Sequence, residues 1–265
     1  MLTTAAIAAF GLYLARTGAM IVAAPIFSTG SSFTGYRVAL AFSLAFLMYG
    51  ATGTPLPAEV APMLYLAMVL REVALGLALA FVLTMMQLVA RMAGDLIGHE
   101  MGLAMANQTD PVTGVQTPLV ARIYEIFFIL GFLAINGHHV LLRALGDSFG
   151  RAPVGEFRLE AGVLELVEAF FVRALEAGVT FGAPVMVIML LLSVLIGVLA
   201  RVVPQINVLE MSFTLRVALA MISMFLFAPI IAPALLKLYD LQALWLDALI
   251  GAAEPRAAFA GVQGG

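Results

Sequence analysis

The sequence predicts an all-α fold of membrane type, built from about six long apolar helices, and three observations carry that prediction. Of its 265 residues, 63% are hydrophobic and only 11% are charged, against roughly 25% charged in an ordinary soluble domain. A water-soluble fold needs a charged shell that this chain cannot supply. Its mean hydropathy is +1.08, and its apolar residues must face lipid or other apolar protein. The second observation is the length of the uncharged runs: residues 17–36, 38–58, 73–90, 177–200 and 217–236 contain no Asp, Glu, Lys or Arg. A helix over 177–200 would be about 36 Å long, enough to cross a hydrocarbon core of about 30 Å. The third is the absence of alternation. Lipid admits only helices and closed barrels, and barrel strands alternate polar and apolar residues. These runs do not.

The elements follow in order. The first helix is predicted over about 3–24, ending near Pro25. Its opening, MLTTAAIAAFGLYLAR, has no basic residue before Arg16, unlike the positive start of a signal peptide, and reads as a retained helix. Turn formers fill Ser28–Gly35. A second helix covers about 36–51 and is broken by Gly53-Thr-Pro-Leu-Pro57. A third, about 62–93, carries Arg71 and Glu72, which are adjacent and therefore point to different sides. Gly94 to Pro118 is moderately apolar yet rich in glycine and turn formers, neither a clean helix nor a solvated loop. A fourth helix is predicted over about 119–145, with Arg122 and Glu125 three residues apart. A polar connection follows over about 146–160. The fifth runs from near 161 to Ala200, acidic and amphipathic at first, then wholly apolar. Pro204 ends it. A sixth covers about 208–250, and the Ala/Gly-rich tail 251–265 is predicted to be disordered.

Several chemistries are excluded or left without support. There is no cysteine, hence no disulfide, thiolate nucleophile or Cys-ligated metal. The net charge is −3, the 13 basic residues are thinly spread, and Lys237 is the one lysine. No basic patch points to nucleic acid. Gly146-Asp-Ser148-Phe-Gly150 matches a nucleophile elbow, but that motif needs a strand-to-helix turn, and here a polar turn after a helix is the better reading. His99-Glu100 starts an H-E-x-x-H zinc motif whose second histidine is replaced by Leu103. No P-loop is present. The sequence therefore predicts no catalytic set, no metal site and no cofactor.

Ionisable groups in apolar helices carry more information. A charge at the bilayer centre costs about 2.5–3.5 kcal/mol on insertion scales, so Arg71, Glu72, Arg91, Glu125, His138 and His139 want partners or water. Interhelical or intersubunit pairing is the favoured reading; a proton or solute pathway is the other. Methionines cluster near the central segment. Met85 and Met86 read as core filler, whereas Met101 and Met105 could seal a passage with deformable side chains.

Taken together, the residues resemble a family. Arg16-x-Gly18 leads to Pro25, and Arg37 opens the second apolar run. Ala93-Gly-Asp-Leu-Ile-Gly, Met101-Gly102 and Asp110-Pro111 fill the centre. Gly137-His138, Ser148-Phe149 and Pro153 follow. The most specific piece is Gly197-Val-Leu-Ala-Arg201-Val-Val-Pro204-Gln205-Ile-Asn207-Val208. In order and spacing these resemble the FliR family of flagellar export-apparatus membrane proteins and its relatives in virulence type III secretion, over nearly the whole chain. Glu100 and Leu209-Glu-Met-Ser-Phe depart from the family pattern, and they bear on the choice between the two branches.

The resemblance implies one membrane domain over 1–265, of bent helical hairpins, with a FliP-like portion over about 1–174 and a FliQ-like hairpin over about 175–250. It implies partners: FliP-like and FliQ-like subunits, FlhB-like and FlhA-like apparatus proteins, membrane lipid, and unfolded rod, hook and filament proteins as cargo. It implies a place in the bacterial inner membrane at the flagellar basal body. It implies that the central segment, about 94–116, gates a protein-conducting channel as a plug carrying Gly94, Gly98, Met101, Gly102, Met105, Asp110, Pro111 and Gly114. Gly197, Arg201, Pro204, Gln205 and Asn207 would form a turn at a subunit contact, while Arg71, Glu72, Glu125 and His138 are the polar groups within the membrane. The alternative reading is a proton-coupled small-solute transporter that uses Glu125 and His138 as a relay.

Overall fold

A computed structural model of the chain describes residues 4–27, 35–53, 56, 60–102, 119–155, 161–203 and 208–253. Among these residues the fold is helical, without strands. Helix α1 spans Thr4–Ala23 and is followed by a 3-10 turn, Pro25–Phe27. Helix α2 is Gly35–Thr52, α3 Pro62–Glu100, α4 Leu119–Ala134, α5 Gly137–Arg151, α6 Ala161–Val202 and α7 Val208–Ala253. By length and apolarity, α1, α3 and α6 can each cross a membrane.

Four predicted boundaries need correction. Helix α3 continues past residue 93 through Gly94 and Gly98 to Glu100. Glycine weakens a water-exposed helix, but in tightly packed membrane-type helices small residues let backbones approach and are tolerated. The predicted fourth helix is two. Asn136 takes a left-handed backbone (φ 59°), a conformation Asn adopts more readily than most residues, and this separates α4 from α5. Residues 146–151, predicted as part of a polar connection, are the last turns of α5. Finally, α7 extends to Ala253, three residues into the predicted tail.

Six hydroxyls inside these apolar helices share one local pattern. The hydroxyls of Ser43, Thr52, Thr84, Thr180, Ser193 and Ser223 each bond the carbonyl four residues earlier, at 2.7–3.0 Å. That satisfies the hydroxyl without a partner on another helix.

The chain forms two compact units, each assembled from separated stretches. The first comprises residues up to 84, 136–171 and 241 onward. Leu12, Tyr13, Met20 and Ile21 of α1 are buried with Leu75 and Leu79 of α3 and Leu141, Leu145 and Phe149 of α5. Tyr13 stacks on Phe149 with ring centroids 4.4 Å apart, and Phe10 meets Phe42 of α2 edge-on at 5.3 Å. The second unit comprises residues 85–135 and 172–240. Ile97 and Met101 of α3, Val120 of α4, Val185, Met189, Leu192 and Ile196 of α6 and Ala220 of α7 make its core. The opposite face of α6 leaves Val187, Leu190, Leu191, Val194, Leu195 and Val198 exposed. Only 22% of its most apolar stretch is covered within the chain, far more open apolar surface than a water-soluble monomer carries.

Candidate functional site

The first unit is organised around a charge. Arg16 on α1 and Glu72 on α3 are both 0% exposed, with Nε 2.6 Å from Oε2. Two bare charges in such a place would be prohibitively costly, and breaking one partner of a buried pair typically costs about 3–5 kcal/mol. Here most of the remaining hydrogen-bond capacity is used. Arg16 Nη1 donates to the Ser148 carbonyl at 2.7 Å and to its Oγ at 3.1 Å, and Nη2 donates to the Ala152 carbonyl at 2.9 Å. The Gly155 N–H donates to Glu72 Oε1 at 2.8 Å. The guanidinium also lies 4.4 Å from the centre of the Phe149 ring. Arg16 therefore serves carbonyls at the C-terminal end of α5, where a cation is favoured by the helix dipole. The planar fork suits this task better than an ammonium group.

This geometry disposes of the serine motif as an elbow. Ser148 is fully buried on a helix. Its Oγ donates to the Leu145 carbonyl at 2.7 Å while accepting from Arg16, so the hydroxyl is held in a structural bond. Glu72 was legible as a group needing a partner. Its partner lies 56 residues away in sequence, and no local spacing signals that.

In the second unit, glycines set the helix spacing. A Cβ built on Gly94 of α3 would stand 2.5 Å from Ala121 Cα on α4, and one on Gly178 of α6 would stand 2.9 Å from Met92 Sδ. A Cβ on Gly182 would meet Leu96 and the Ala93 backbone at 3.5–3.7 Å. Gly94 and Gly98, like Gly178 and Gly182, are four residues apart, the small-xxx-small spacing of close helix pairs. Beside these contacts Glu125 is nearly buried, with Arg122 at 3.2 Å and Arg91 at 3.7 Å. Arg91 also lies 3.8 Å from Asp95.

Helix α3 then ends. Met101 is 2% exposed within the core of this unit, and Gly102 turns left-handed at φ 75°. Its N–H bonds the His99 carbonyl at 3.0 Å. A left-handed glycine is a common helix terminator because it lacks the Cβ that would clash. Arg216 of α7, not singled out by the sequence reading, meets this end. Its Nη1 donates to the Glu100 carbonyl at 2.8 Å, and its Nη2 to Ser193 Oγ of α6 at 2.9 Å. Glu100, which departs from the pattern of the resembled family, has its carboxylate 3.9 Å from the same guanidinium.

Of the other predicted positions, Arg71 is half-buried on α3. The His138 ring lies 4.2 Å from that of His139, and its Nδ1 is buried without a hydrogen-bond partner among the described residues. Gly197 and Arg201 are exposed on α6, and a Cβ on Gly197 would meet nothing within 4 Å. Met105, Asp110, Pro111, Gly114, Pro204, Gln205 and Asn207 lie outside the described residues.

Fold and site together define a class: a multi-helix protein of membrane type, whose internal charges tie helix ends together and whose apolar faces are left largely uncovered. Within that class, the chain belongs to the bacterial export proteins, family 1, which matches residues 7–241. It is 32% identical over 226 residues to the flagellar biosynthetic protein FliR of Escherichia coli (strain K12), covering 83% of this chain and 84% of the relative. It is 29% identical over 221 residues to the flagellar biosynthetic protein FliR of Bacillus subtilis (strain 168), covering 81% and 83%. The surface presentation of antigens protein SpaR of Shigella flexneri is 28% identical over 156 residues, 59% of this chain and 60% of the relative. The family read from the sequence motifs is therefore the family to which the chain belongs.

Proposed function

We propose that the chain is a subunit of a bacterial type III protein export gate, in its flagellar form, seated in the inner membrane. The observation that carries this is the extent of the family match, which runs from residue 7 to residue 241 and so takes in most of both compact units. The flagellar form is favoured because relatives covered over four-fifths of their length are flagellar biosynthetic proteins. The uncovered apolar face of α6 supports a chain completed by other subunits and by lipid. In this reading FliP-like and FliQ-like subunits surround it, FlhB-like and FlhA-like proteins join the apparatus, and unfolded rod, hook and filament proteins are the cargo. The C-terminal portion from about 175 acts as a FliQ-like hairpin behind a FliP-like portion. Residues 94–116 gate the channel.

The test is co-expression with FliP-like and FliQ-like subunits. A tag on this chain should recover both, and loss of the gene should abolish motility. Deleting residues 101–114 should leave the complex assembled but make the membrane leak ions. A chain that purifies alone from that co-expression overturns the subunit reading; a tight membrane after the deletion overturns the gating role.

A further inference from the structure

Resting on the export-gate reading, we infer that Arg216 is the positioning residue that holds the end of α3 in its closed arrangement. The described part of the proposed gate, residues 94–102, ends at a helix terminus. The last carbonyls of a helix have no donor within it. Two of those near this end are met locally, Ile97 by the Met101 N–H and His99 by the Gly102 N–H, each at 3.0 Å. The Glu100 carbonyl takes its donor from Arg216, across 116 residues of sequence.

The fork is oriented from its other side. The Ser193 hydroxyl gives its own proton to the Met189 carbonyl at 2.8 Å, which leaves its oxygen free to accept from Nη2. One arginine on α7 thereby ties α3 to α6. Its positive charge at a helix C-terminus is favourable, and the fork places two donors at once.

The comparison with Arg16 shows why this tie is suited to release. Both arginines reach across to carbonyls at the end of another helix. Arg16 is fully buried with its carboxylate at 2.6 Å, so its loss would damage the fold. Arg216 is 28% exposed and its carboxylate stands 3.9 Å away. Water can replace its bonds, and the residues that bury Ile97 and Met101 in the core do not include Arg216.

The experiment uses the assembled export complex carrying Arg216→Met, Arg216→Lys or Glu100→Gln. Three measurements are made: recovery of the partner subunits, amide hydrogen exchange at Met101 and Gly102, and ion leakage across the membrane. Arg216→Met should leave assembly intact, speed exchange roughly tenfold, and raise leakage severalfold. Arg216→Lys, which keeps one charged donor, should restore most of both. Glu100→Gln should behave as the parent, because the carbonyl and not the carboxylate takes the close bond. Faster exchange with a tight membrane would overturn the inference, as would unchanged exchange in Arg216→Met. If that variant fails to assemble, Ser193→Ala serves instead. It removes one partner of the fork, and exchange and leakage should rise together but less; no change in either overturns the inference. Deletion of 101–114 is run alongside. Leakage in the deletion but not in Arg216→Met sinks the role of Arg216 alone, whereas a tight membrane in both sinks the gate reading.

Discussion

Arg16 and Glu72 bury opposite charges in an apolar unit, and each spends its remaining valences on backbone groups. Replacing either alone with alanine leaves a buried charge unpaired, so a loss of about 3–5 kcal/mol is expected, seen as a sharply lowered thermal unfolding temperature in detergent. The double replacement Arg16→Met with Glu72→Leu removes both charges, which in other buried pairs is nearly neutral. Here it should recover only part of the loss. The Ala152 carbonyl and the Gly155 N–H would lose the partners they have here, each costing about 1–3 kcal/mol where water does not reach it, whereas the Ser148 carbonyl would keep the Ala152 N–H at 3.0 Å. Full recovery in the double variant would show that those backbone bonds contribute little. Sequence alone marks Glu72 as a charge in need of a partner. It does not mark Arg16 as that partner, because pairing across 56 residues depends on how α1 and α3 cross.

At the scale of helices, glycine is read wrongly if treated as a breaker. Gly94 lies inside α3 because its missing side chain admits the α4 backbone at Ala121. Alanine in place of glycine within a helix normally stabilises by about 0.5–1 kcal/mol. Gly94→Ala should instead destabilise by about 1–3 kcal/mol, the usual cost of overpacking. Gly18→Ala on α1, where a Cβ would meet nothing within 4 Å, should show the ordinary small gain. Thermal unfolding of the two variants side by side checks this; equal gains would mean that α3 and α4 can separate at no cost. Gly102→Ala carries a different penalty, about 1–2 kcal/mol for a left-handed backbone, because its φ is 75°. The break at Asn136 did leave a mark in the sequence: Asn136-Gly137-His138-His139 interrupts the apolar run, and Asn-Gly is a turn signal. The turn falls on Asn136 because a left-handed backbone costs little when the residue is Asn.

For the whole molecule, open surface is the informative quantity. Gly197 and Arg201 are exposed on α6 in a chain whose apolar faces are extensive. If Gly197 lies at a subunit contact, Gly197→Leu should leave the chain's own unfolding temperature unchanged or raised by a few degrees, since a Cβ there meets nothing and glycine in a helix costs about 0.5–1 kcal/mol. It should also sharply reduce recovery of FliP-like and FliQ-like subunits with the tagged chain. Normal recovery would remove Gly197 from the contact. What the sequence determined by itself was class and family: few charges and long uncharged runs exclude a solvated shell, and ordered motifs from Arg16 to Asn207 mark the lineage. Helix identity followed because lipid and apolar neighbours demand internally bonded backbone whatever the details. Tertiary structure alone decided which charges meet. Arg16 finds the end of α5, Arg216 finds the end of α3, and Gly94 becomes a contact instead of a turn. Each of these depends on two helices distant in sequence approaching within a few ångströms, and that approach is set by the packing of all the others.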